Sequence, residues 1–521
     1  MSTHDEYPQG HIQTASASSQ LATWHAERGN KSFLRACIPS WSHNPVYASE
    51  ETTKNPFKLL AMVGPMGWLY FFSGWFAWTC DGYDFFAVSL TVDKLGKQFG
   101  VDTKKITTAI TLTLLFRSVG ALIFGVLADR FGRKWVLVCN LLLIAVFELG
   151  SGFCNTYQEF LAVRALFGIA MGGIWGQAAA TALENVPVAA RGICSGILQQ
   201  GYSAGYLIAA VINLGVVDKE GGTWRELYFI GAGFSVAAAI VRACIPESRQ
   251  YILAREESRA AGQNTSQKSK MFMKEVVSML KTNWVRAIWA ICMMTGFNFF
   301  SHGSQDLYPK YLQTTKGLSS ALSSKATIIA NCGAIAGGSI AGYVSQYTGR
   351  RLAIIICVLY TACWIPLWTL PNNFGGLAAG GFFVQSGVQG AWGIVPIYLG
   401  EVSPPAFRAS FAGLAYQLGN AASSAAAQIE ADAGSRLRII VRGKEVADYG
   451  KIQSILIGAV MAWMLICVFF GPEADGSHFE SAAVATQSGS GKAATADLVH
   501  IERKAQEDIH DHEHRDIESK A

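Results

Sequence analysis

The sequence predicts an all-α membrane protein with about twelve transmembrane helices arranged in two six-helix bundles. Three observations predict this class. Charged residues make up only 15% of the 521 residues, whereas soluble domains carry about 25%. Apolar windows of about 20 residues, the length that crosses a bilayer, recur along the chain. The third observation is an internal repeat.

The repeat has a period of 217 residues. A loop pattern that begins at Gly125 returns at Gly342, and 342 − 125 = 217. A second pattern, Glu-x-x-Pro-x-x-x-Arg, begins at Glu184 and returns at Glu401, and 401 − 184 is again 217. Chance alignments do not hold one register across several motifs, so the chain contains two copies of one unit. Parallel repeats of apolar helices are typical of secondary transporters.

The apolar windows locate the spans in order. They begin near residues 61, 106, 135, 157, 190, 225, 284, 323, 352, 373, 405 and 452. Adding 217 to the second to fifth spans reaches the eighth to eleventh, and the last pair slips because a polar stretch, 434–449, precedes the twelfth. The predicted domains are an N-terminal tail (1–56), a bundle (57–248), a linker (249–282), a second bundle (283–471) and a C-terminal tail (472–521).

Basic residues predict the orientation of the spans. Those of the repeated loops fall on one predicted side, which the positive-inside rule makes cytoplasmic: Arg130, Arg133, Lys134, Arg191, Arg350, Arg351 and Arg408. Both tails and the linker are therefore expected in the cytoplasm. The first 56 residues are polar, so no cleavable signal peptide is expected.

Other classes of function have little support. The sequence shows no nucleophile–base pairing, metal-ligand spacing or phosphate loop, so an enzyme, a metal site and a nucleic-acid partner are not expected. The cysteines lie mostly inside predicted spans and resemble packing residues. The expected partners are the lipid bilayer, a small substrate and cytoplasmic regulators of the polar tails.

The repeated loops resemble signatures of the major facilitator superfamily. Gly125-x-x-x-Asp129-Arg130-x-Gly132-Arg133-Lys134 is similar to the signature between helices two and three. The resemblance covers about residues 60–471 and implies the major facilitator fold. It implies gating roles for Asp129, Arg130, Arg133, Glu184, Arg191, Arg350, Glu401 and Arg408. The second copy has Gln346 where the signature has Asp, which weakens any charge lock in that half.

The seventh predicted span carries a more specific pattern. Its segment Asn298-x-x-Ser301-His302-x-Ser304-Gln305-Asp306 resembles the signature of the Jen-type fungal carboxylate–proton symporters, within the sialate–proton symporter family. The resemblance implies proton-coupled import of short carboxylates such as lactate and pyruvate. The signature ends in Thr four residues later, where this chain has Lys310.

Polar residues of this segment also indicate a function on physical grounds. At 3.6 residues per turn, Asn298, Ser301, His302, Gln305 and Asp306 share one helix face. Polar groups at such depth are costly and usually face a bundle interior or a cavity. Histidine, with an unperturbed pKa of about 6.5, can exchange protons near physiological pH. The alternative is a buried network that only packs the helix against its neighbours.

Two further candidates lie in the first bundle. Asp81 and Asp84, in the first span, are the repeat mates of Asn298 and Ser301, and either carries a proton or pairs with an arginine. Arg117 lies near the middle of the second span, and its repeat mate is Ala334. A guanidinium presents a fork that matches a carboxylate, so Arg117 is a candidate substrate ligand. The alternative is a structural ion pair with Asp81, Asp84 or Glu148.

The sequence thus predicts proton-coupled import of a short-chain monocarboxylate, of the lactate or pyruvate type, across the plasma membrane by alternating access. The substrate ligands are Arg117, Asn298, Ser301 and Gln305, and the proton-coupling residues are His302, Asp306, Asp81 and Asp84. No cofactor is expected besides the proton. The alternatives are another organic anion (a dicarboxylate, sialate or sugar acid) and a carboxylate sensor that does not transport.

Lys310 has two possible environments. It lies four residues after Asp306, so an ion pair between them is geometrically possible, and it would favour the ionised carboxylate. We expect instead that Lys310 extends to the membrane interface and attracts anions.

The orientation is testable with a reporter cysteine at position 264, in the linker. A membrane-impermeant thiol reagent is expected to leave it unlabelled in intact cells and to label it after permeabilisation. Labelling from outside would reverse the predicted topology.

Overall fold

The computed structural model describes residues 54–183, 185–247, 252, 274, 277–404 and 408–472. Its first half is a helical bundle that follows a short amphipathic helix, α1. The helices are α1 (Pro56–Ala61), α2 (Pro65–Phe99), α3 (Thr103–Phe131), α4 (Arg133–Phe153), α5 (Tyr157–Met171), α6 (Ile174–Leu183), α7 (Arg191–Ile212) and α8 (Arg225–Cys244). Helices α5 and α6 form one span, so α2 to α8 account for the first six predicted spans.

The second half repeats this arrangement. Its elements are α9 (Trp284–Gln305), α10 (Tyr308–Thr314), α11 (Ser320–Thr348), α12 (Arg350–Thr369), α13 (Phe374–Val402), α14 (Arg408–Ser423), α15 (Ala426–Arg436), β1 (Arg438–Val441), β2 (Lys444–Ala447) and α16 (Tyr449–Phe470). Helices α9 with α10, and α14 with α15, are the broken seventh and eleventh spans. The predicted all-α class is confirmed, and a small antiparallel hairpin of β1 and β2 occupies the extra polar stretch before α16.

Helix ends follow local sequence signals. Asp102, Thr156, Ser319 and Asn373 accept hydrogen bonds from backbone N–H groups of the helices that follow them, as N-cap residues do. Gly132 and Gly349, which are repeat mates, both adopt positive φ, at 91° and 84°. That conformation is readily accessible only to glycine, so the repeated loop turns sharply at the same point in each half.

The distribution of polarity is that of a membrane protein. Large apolar side chains such as Leu122, Val146 and Ile340 are 58–63% exposed on the outer surface, whereas charged groups such as Arg117 are fully buried. Among the described helices, eight are long and apolar enough to cross a membrane by length and composition. The remaining spans, formed by α2, α9, α13 and α14 with their continuations, carry the polar residues described below.

The two halves pack closely through α7 and α11. A Cβ added at Gly196 would lie 2.6 Å from the carbonyl oxygen of Gly338, so the glycines allow the backbones to approach, as small residues do between membrane helices. Helix α3 packs against α14 across the other side of the interface. We call the end that carries Gly132 and Gly349 the motif end, and the end that carries the β1–β2 hairpin the opposite end.

Candidate functional site

The polar face of α9 is buried at the interface between the halves. His302 is central to it, because its Nδ1 lies 3.1 Å from Asp306 Oδ1 and its Nε2 lies 3.2 Å from Asn420 Oδ1. The amide of Asn420 donates to Gln417 Oε1 at 2.8 Å, which orients its oxygen towards the ring. Both ring nitrogens therefore face acceptors, an arrangement that the doubly protonated imidazolium satisfies.

The other polar residues of α9 connect it to α13. Ser301 donates to Gln305 Oε1 at 2.9 Å, and Gln305 Nε2 donates to Gln385 Oε1 at 2.9 Å. Gln389 Nε2 lies 3.3 Å from Ser301 Oγ. A network that only packs α9 against α13 would make these hydrogen bonds. The same amide and hydroxyl groups also lie beside His302 and can exchange their hydrogen-bond partners. Gln305 and Ser301 are thus held in place by amides from a neighbouring span.

Asn298 is placed differently from its neighbours. Its Nδ2 donates to the backbone oxygens of Met294 and Tyr416 at 2.8 and 3.3 Å. The bond to Tyr416 attaches α9 to the backbone of α14, and the bond to Met294 lies within α9. The Asn298 Oδ1 atom is buried and makes no hydrogen bond with the described residues.

Arg117 forms an ion pair with Asp81 inside the first half. Its Nη2 lies 2.9 Å from Asp81 Oδ2, and both side chains are fully buried. The Arg117 guanidinium carbon also lies 6.0 Å from the ring centroid of Trp78 and 5.8 Å from that of Tyr416. Of the alternatives for Arg117, the ion pair with Asp81 is therefore present, and the aromatic rings add cation–π contacts.

Unused hydrogen-bond donors surround this ion pair. Arg117 Nε, Trp78 Nε1 and the Tyr202 hydroxyl are buried, and none has a partner among the described residues. The ring of Trp78 stacks on that of Tyr202 at a centroid distance of 4.7 Å and lies 6.0 Å from the Arg117 guanidinium carbon, so the three side chains are neighbours. Buried donors without partners are rare in folded proteins. Their grouping beside a guanidinium provides a set of groups able to bind an anion.

Asp84 lies in a separate polar cluster. Ser235 donates to its Oδ2 at 3.0 Å, and Arg164 donates from Nη2 to its backbone oxygen at 3.4 Å. Arg164 itself pairs with Glu148 at 2.8 Å, and both side chains are fully buried. Asp81 and Asp84 thus have different partners although they are one helical turn apart.

The two halves meet at repeat-related positions near His302. Phe85 is the repeat mate of His302, since 302 − 85 = 217, and the two rings pack edge to face at 5.3 Å. The Tyr206 hydroxyl from α7 donates to the backbone oxygen of Gln305 at 3.4 Å. The histidine is therefore positioned between the halves.

The motif end contains several of the residues that the resemblance associates with gating. Arg350 pairs with Glu401 through two bonds of 3.0 Å, in the second half. Arg191 Nε donates to the Val186 oxygen at 3.0 Å, and Arg133 is half-buried at the start of α4. Glu184 and the side chains of Asp129, Arg130 and Arg408 lie outside the described residues.

Gln346 links the halves at the motif end without a charge. It accepts from the Ile193 N–H at 2.8 Å and donates to the Ala189 oxygen at 2.7 Å. These groups lie at the start of α7, where helix N–H groups lack intrahelical partners. At this position, where the superfamily signature has Asp, two neutral amide hydrogen bonds connect the halves.

Lys310 pairs with Asp93 across the two halves at the opposite end. The two residues are 217 positions apart, so they are repeat mates on corresponding helices. The expectation that Lys310 extends to the interface is wrong, because its side chain is only 16% exposed and contacts this carboxylate. Asp306 is not its partner either, since that carboxylate faces His302.

Sequence reasoning did not identify several residues of this site. Asn420 lies three positions after Gln417, on the same face of α14, and that spacing could have identified it. Asp93 could have been found by subtracting 217 from Lys310. The aromatic residues around Arg117 gave no signal, because aromatic side chains are common in every span.

Comparison with known proteins identifies the family. The model of the family described as sugar (and other) transporters matches residues 65–485. The chain belongs to this family. It is 36% identical over 434 residues to the carboxylic acid transporter protein homolog of Saccharomyces cerevisiae. The aligned region covers 80% of this chain and 70% of that protein.

Bacterial relatives are more distant. The cis,cis-muconate transport protein of Acinetobacter baylyi is 24% identical, over 76% of this chain and 95% of that protein. The sialic acid transporter NanX of Escherichia coli is 25% identical, over 68% of this chain and 84% of that protein. The resemblance to carboxylate transporters of the major facilitator superfamily is confirmed, as is the expectation that the chain is not an enzyme.

Solved structures confirm the fold. The Escherichia coli xylose transporter XylE, in a partially occluded inward-open conformation, matches with a TM-score of 0.60 and 17% identity, over 80% of this chain and all of that one. XylE bound to 6-bromo-6-deoxy-D-glucose matches with a TM-score of 0.61 and 18% identity, over 80% and 98%. The chain is a multi-pass membrane transporter of a small-molecule substrate.

Exchanging the charges of Asp93 and Lys310 tests their pairing. Asp93→Lys alone is expected to lower the free energy of unfolding of the purified protein by about 1 kcal/mol, a typical value for a partly exposed pair, because two cations then face each other. The double variant D93K/K310D should recover most of this loss in a thermal unfolding assay.

Lys97 provides the matched control, since it is exposed one turn after Asp93 on the same helix. Lys97→Glu should leave the unfolding midpoint unchanged. If the double variant is as unstable as the sum of its single variants, the two residues do not form a pair in the protein.

Proposed function

We propose that this transporter imports a short-chain monocarboxylate, of the lactate or pyruvate type, together with a proton across the plasma membrane. The observation that carries the proposal is the Arg117 guanidinium, which keeps a buried Nε without a partner beside the free donors of Trp78 and Tyr202. A carboxylate accepts two parallel hydrogen bonds from such a fork. The name of the yeast relative, a carboxylic acid transporter homolog, supports the same class of substrate.

Asp81 sets the strength of substrate binding in this proposal. It occupies one nitrogen of the guanidinium at 2.9 Å and competes with a substrate carboxylate for the same cation. Protonation of Asp81 would release Arg117 for the substrate. Binding of the anion and binding of a proton would then be linked through one side chain.

His302 and Asp306 hold the transported proton. The ring of His302 lies between two acceptors, at 3.1 and 3.2 Å. The side chains of Ser301 and Gln305 line the proposed site next to this ring. Asn298 holds the backbone of α14 in place through its hydrogen bond to Tyr416. The ring of Tyr416 lies beside Arg117. Asp84 would serve as a further proton acceptor, with Ser235 as its partner.

Cotransport of a proton has a physical reason. A cell-negative potential opposes entry of an anion by about 2.3 kcal/mol per charge per 100 mV. Carrying one proton with a monoanion makes the step electrically neutral. The rocking of two bundles about a central site would expose the substrate to each side in turn, with the motif end in the cytoplasm.

Another organic anion is the second candidate. The muconate and sialic acid transporters among the relatives carry larger acids, and the free donors beside Arg117 set no upper size for the substrate. A carboxylate sensor would bind the ligand without moving it.

Uptake of a panel of labelled acids into cells that lack carboxylate transporters, at external pH 5 and pH 7, tests the function. Accumulation of lactate or pyruvate that is faster at pH 5 and is abolished by a protonophore is expected. Preference for a dicarboxylate, a sialate or a sugar acid would replace the substrate assignment. Binding of an acid by the purified protein without uptake would support the sensor.

Variants of Arg117 distinguish its proposed role in substrate binding from its role in neutralising the charge of Asp81. Arg117→Ala should lower the amount of protein at the cell surface, because loss of one partner from a buried pair costs about 3–5 kcal/mol. The double variant D81N/R117A removes the uncompensated charge and should restore the surface level. It should still show no carboxylate uptake. Uptake at the wild-type rate in the double variant would limit Arg117 to a structural role.

A further inference from the structure

A buried carboxyl group in the second half has no role in the site described above. Glu430 lies in α15, and its side chain is fully buried in the broken eleventh span. Its Oε2 accepts one hydrogen bond, from Gln453 Nε2 of α16, at 3.0 Å. Its Oε1 is buried and makes no hydrogen bond with the described residues. Gln453 is fully buried as well, so the carboxyl group is shielded from lipid and from solvent.

Among the residues that the structure describes, no cation balances this carboxyl group. Within the described part of the chain, the groups that interact with it are the amide of Gln453, the carboxyl of Asp306 and the phenol of Tyr449. Helix α3, which also packs against α15, contributes Lys104, but that lysine pairs with Asp432 at 2.5 Å on the exposed side of α15. An ionised carboxylate without a counter-ion is costly at this depth. Glu430 is therefore expected to hold a proton.

The position of Glu430 connects it to the proton-coupling pair. Gly303 follows His302 directly, and a Cβ added there would lie 3.5 Å from Glu430 Oε1. The carboxyl group thus reaches the backbone of α9 beside the histidine because position 303 has no side chain. Asp306 Oδ2, like Glu430 Oε1, is buried without a hydrogen-bond partner among the described residues. Each carboxyl group therefore has one oxygen free to give or take a proton.

A second titratable group extends this arrangement towards the opposite end. Tyr449, the first residue of α16, is buried and interacts electrostatically with both Glu430 and Asp93. The side chain of Thr103, the first residue of α3, lies near the Tyr449 hydroxyl, and Asp93 is 36% exposed. Asp93, Tyr449 and Glu430 thus form a series of polar groups that begins at the surface of the opposite end and leads to His302.

The repeat indicates that Glu430 is not part of the shared scaffold. Its mate in the first half is Asn213, since 430 − 213 = 217. Asn213 is neutral and donates to Asp218 and Ser324 at the opposite end. In the first half an amide fills this position, so the carboxyl at 430 adds an exchangeable proton that packing does not need.

We propose that Glu430 is a proton relay that connects solvent at the opposite end with the His302–Asp306 pair. The proposal rests on the proposed proton-coupled transport and adds the route by which the proton enters. In the transfer, the O–H bond of the Glu430 acid breaks as an O–H bond forms on the Asp306 carboxylate. Glu430 then takes a proton from solvent past Tyr449, and Asp306 releases the proton that it received through His302 when the site opens to the motif end. Glu430 is again an acid and Asp306 again a carboxylate, so one proton has crossed and the charges on the two groups are restored.

Glu430→Gln tests the relay, because the amide keeps the shape of the side chain and cannot carry a proton. Net uptake of a labelled monocarboxylate driven by a pH gradient is expected to fall about a hundredfold, the lower end of the range for loss of an acid–base group. Exchange of labelled for unlabelled acid at equal pH on both sides should continue, since exchange needs no net proton movement. Wild-type pH-driven uptake in Glu430→Gln would overturn the proposal.

Glu445→Gln is the matched control, because it makes the same change at an exposed carboxylate of the β1–β2 hairpin, at the same end of the protein. It should leave both pH-driven uptake and exchange unchanged. If Glu430→Gln does not reach the membrane, Gln453→Met decides, since it removes the one hydrogen bond to Glu430 and leaves the carboxyl in place. The relay predicts an altered pH profile of net uptake with unaltered exchange, and an unaltered profile would contradict it.

An infrared titration separates this proposal from the proposed function. The purified full-length protein should show the C=O stretch of a protonated carboxylic acid that is missing from Glu430→Gln. Absence of such a band would overturn the relay even if transport is proton-coupled. A wild-type protein that shows the band but takes up no acid with protons would instead overturn the proposed function, and the relay with it.

Discussion

The cost of placing polar and charged groups inside a membrane governs the whole arrangement. Each buried ionisable side chain must find its partner within the bundle, because lipid supplies none. Arg117 and Asp81 meet this requirement with an ion pair of two fully buried side chains, and Arg164 and Glu148 form a second one. The helices that carry such groups, α2 to α5, turn them towards the interior of the bundle, and apolar side chains of the same helices face outward.

The departures from the repeat distinguish the two halves. The first half places Arg117 where the second has Ala334, and the second places His302 and Glu430 where the first has Phe85 and Asn213. Arg117 is paired with Asp81 inside the first half. The second half has titratable groups, His302 and Glu430, at positions where the first half has none. A site between the two halves would thus have Arg117 on one side to bind an anion and His302 on the other to hold a proton.

The two ends of the interface are closed by different chemistry. At the motif end, Gln346 binds backbone groups at the start of α7 through neutral hydrogen bonds. At the opposite end, Lys310 and Asp93 pair across the halves, and so do Lys104 and Asp432. Ion pairs at a solvent-exposed rim are weakened by water and salt. Both ends can therefore open without exposing an unpaired charge to lipid.

The sequence by itself determined the twelve-span fold, the repeat and the polar face of α9, because apolar windows and helical spacing are local properties of the chain. It also carried the family resemblance. Only the tertiary structure decided that Arg117 binds Asp81, that Lys310 binds Asp93 and that Asn420 faces His302. These partners lie 36, 217 and 118 residues apart. Which side chains meet at such separations depends on how the helices cross, and helix packing is a property of the folded bundle that no local pattern records.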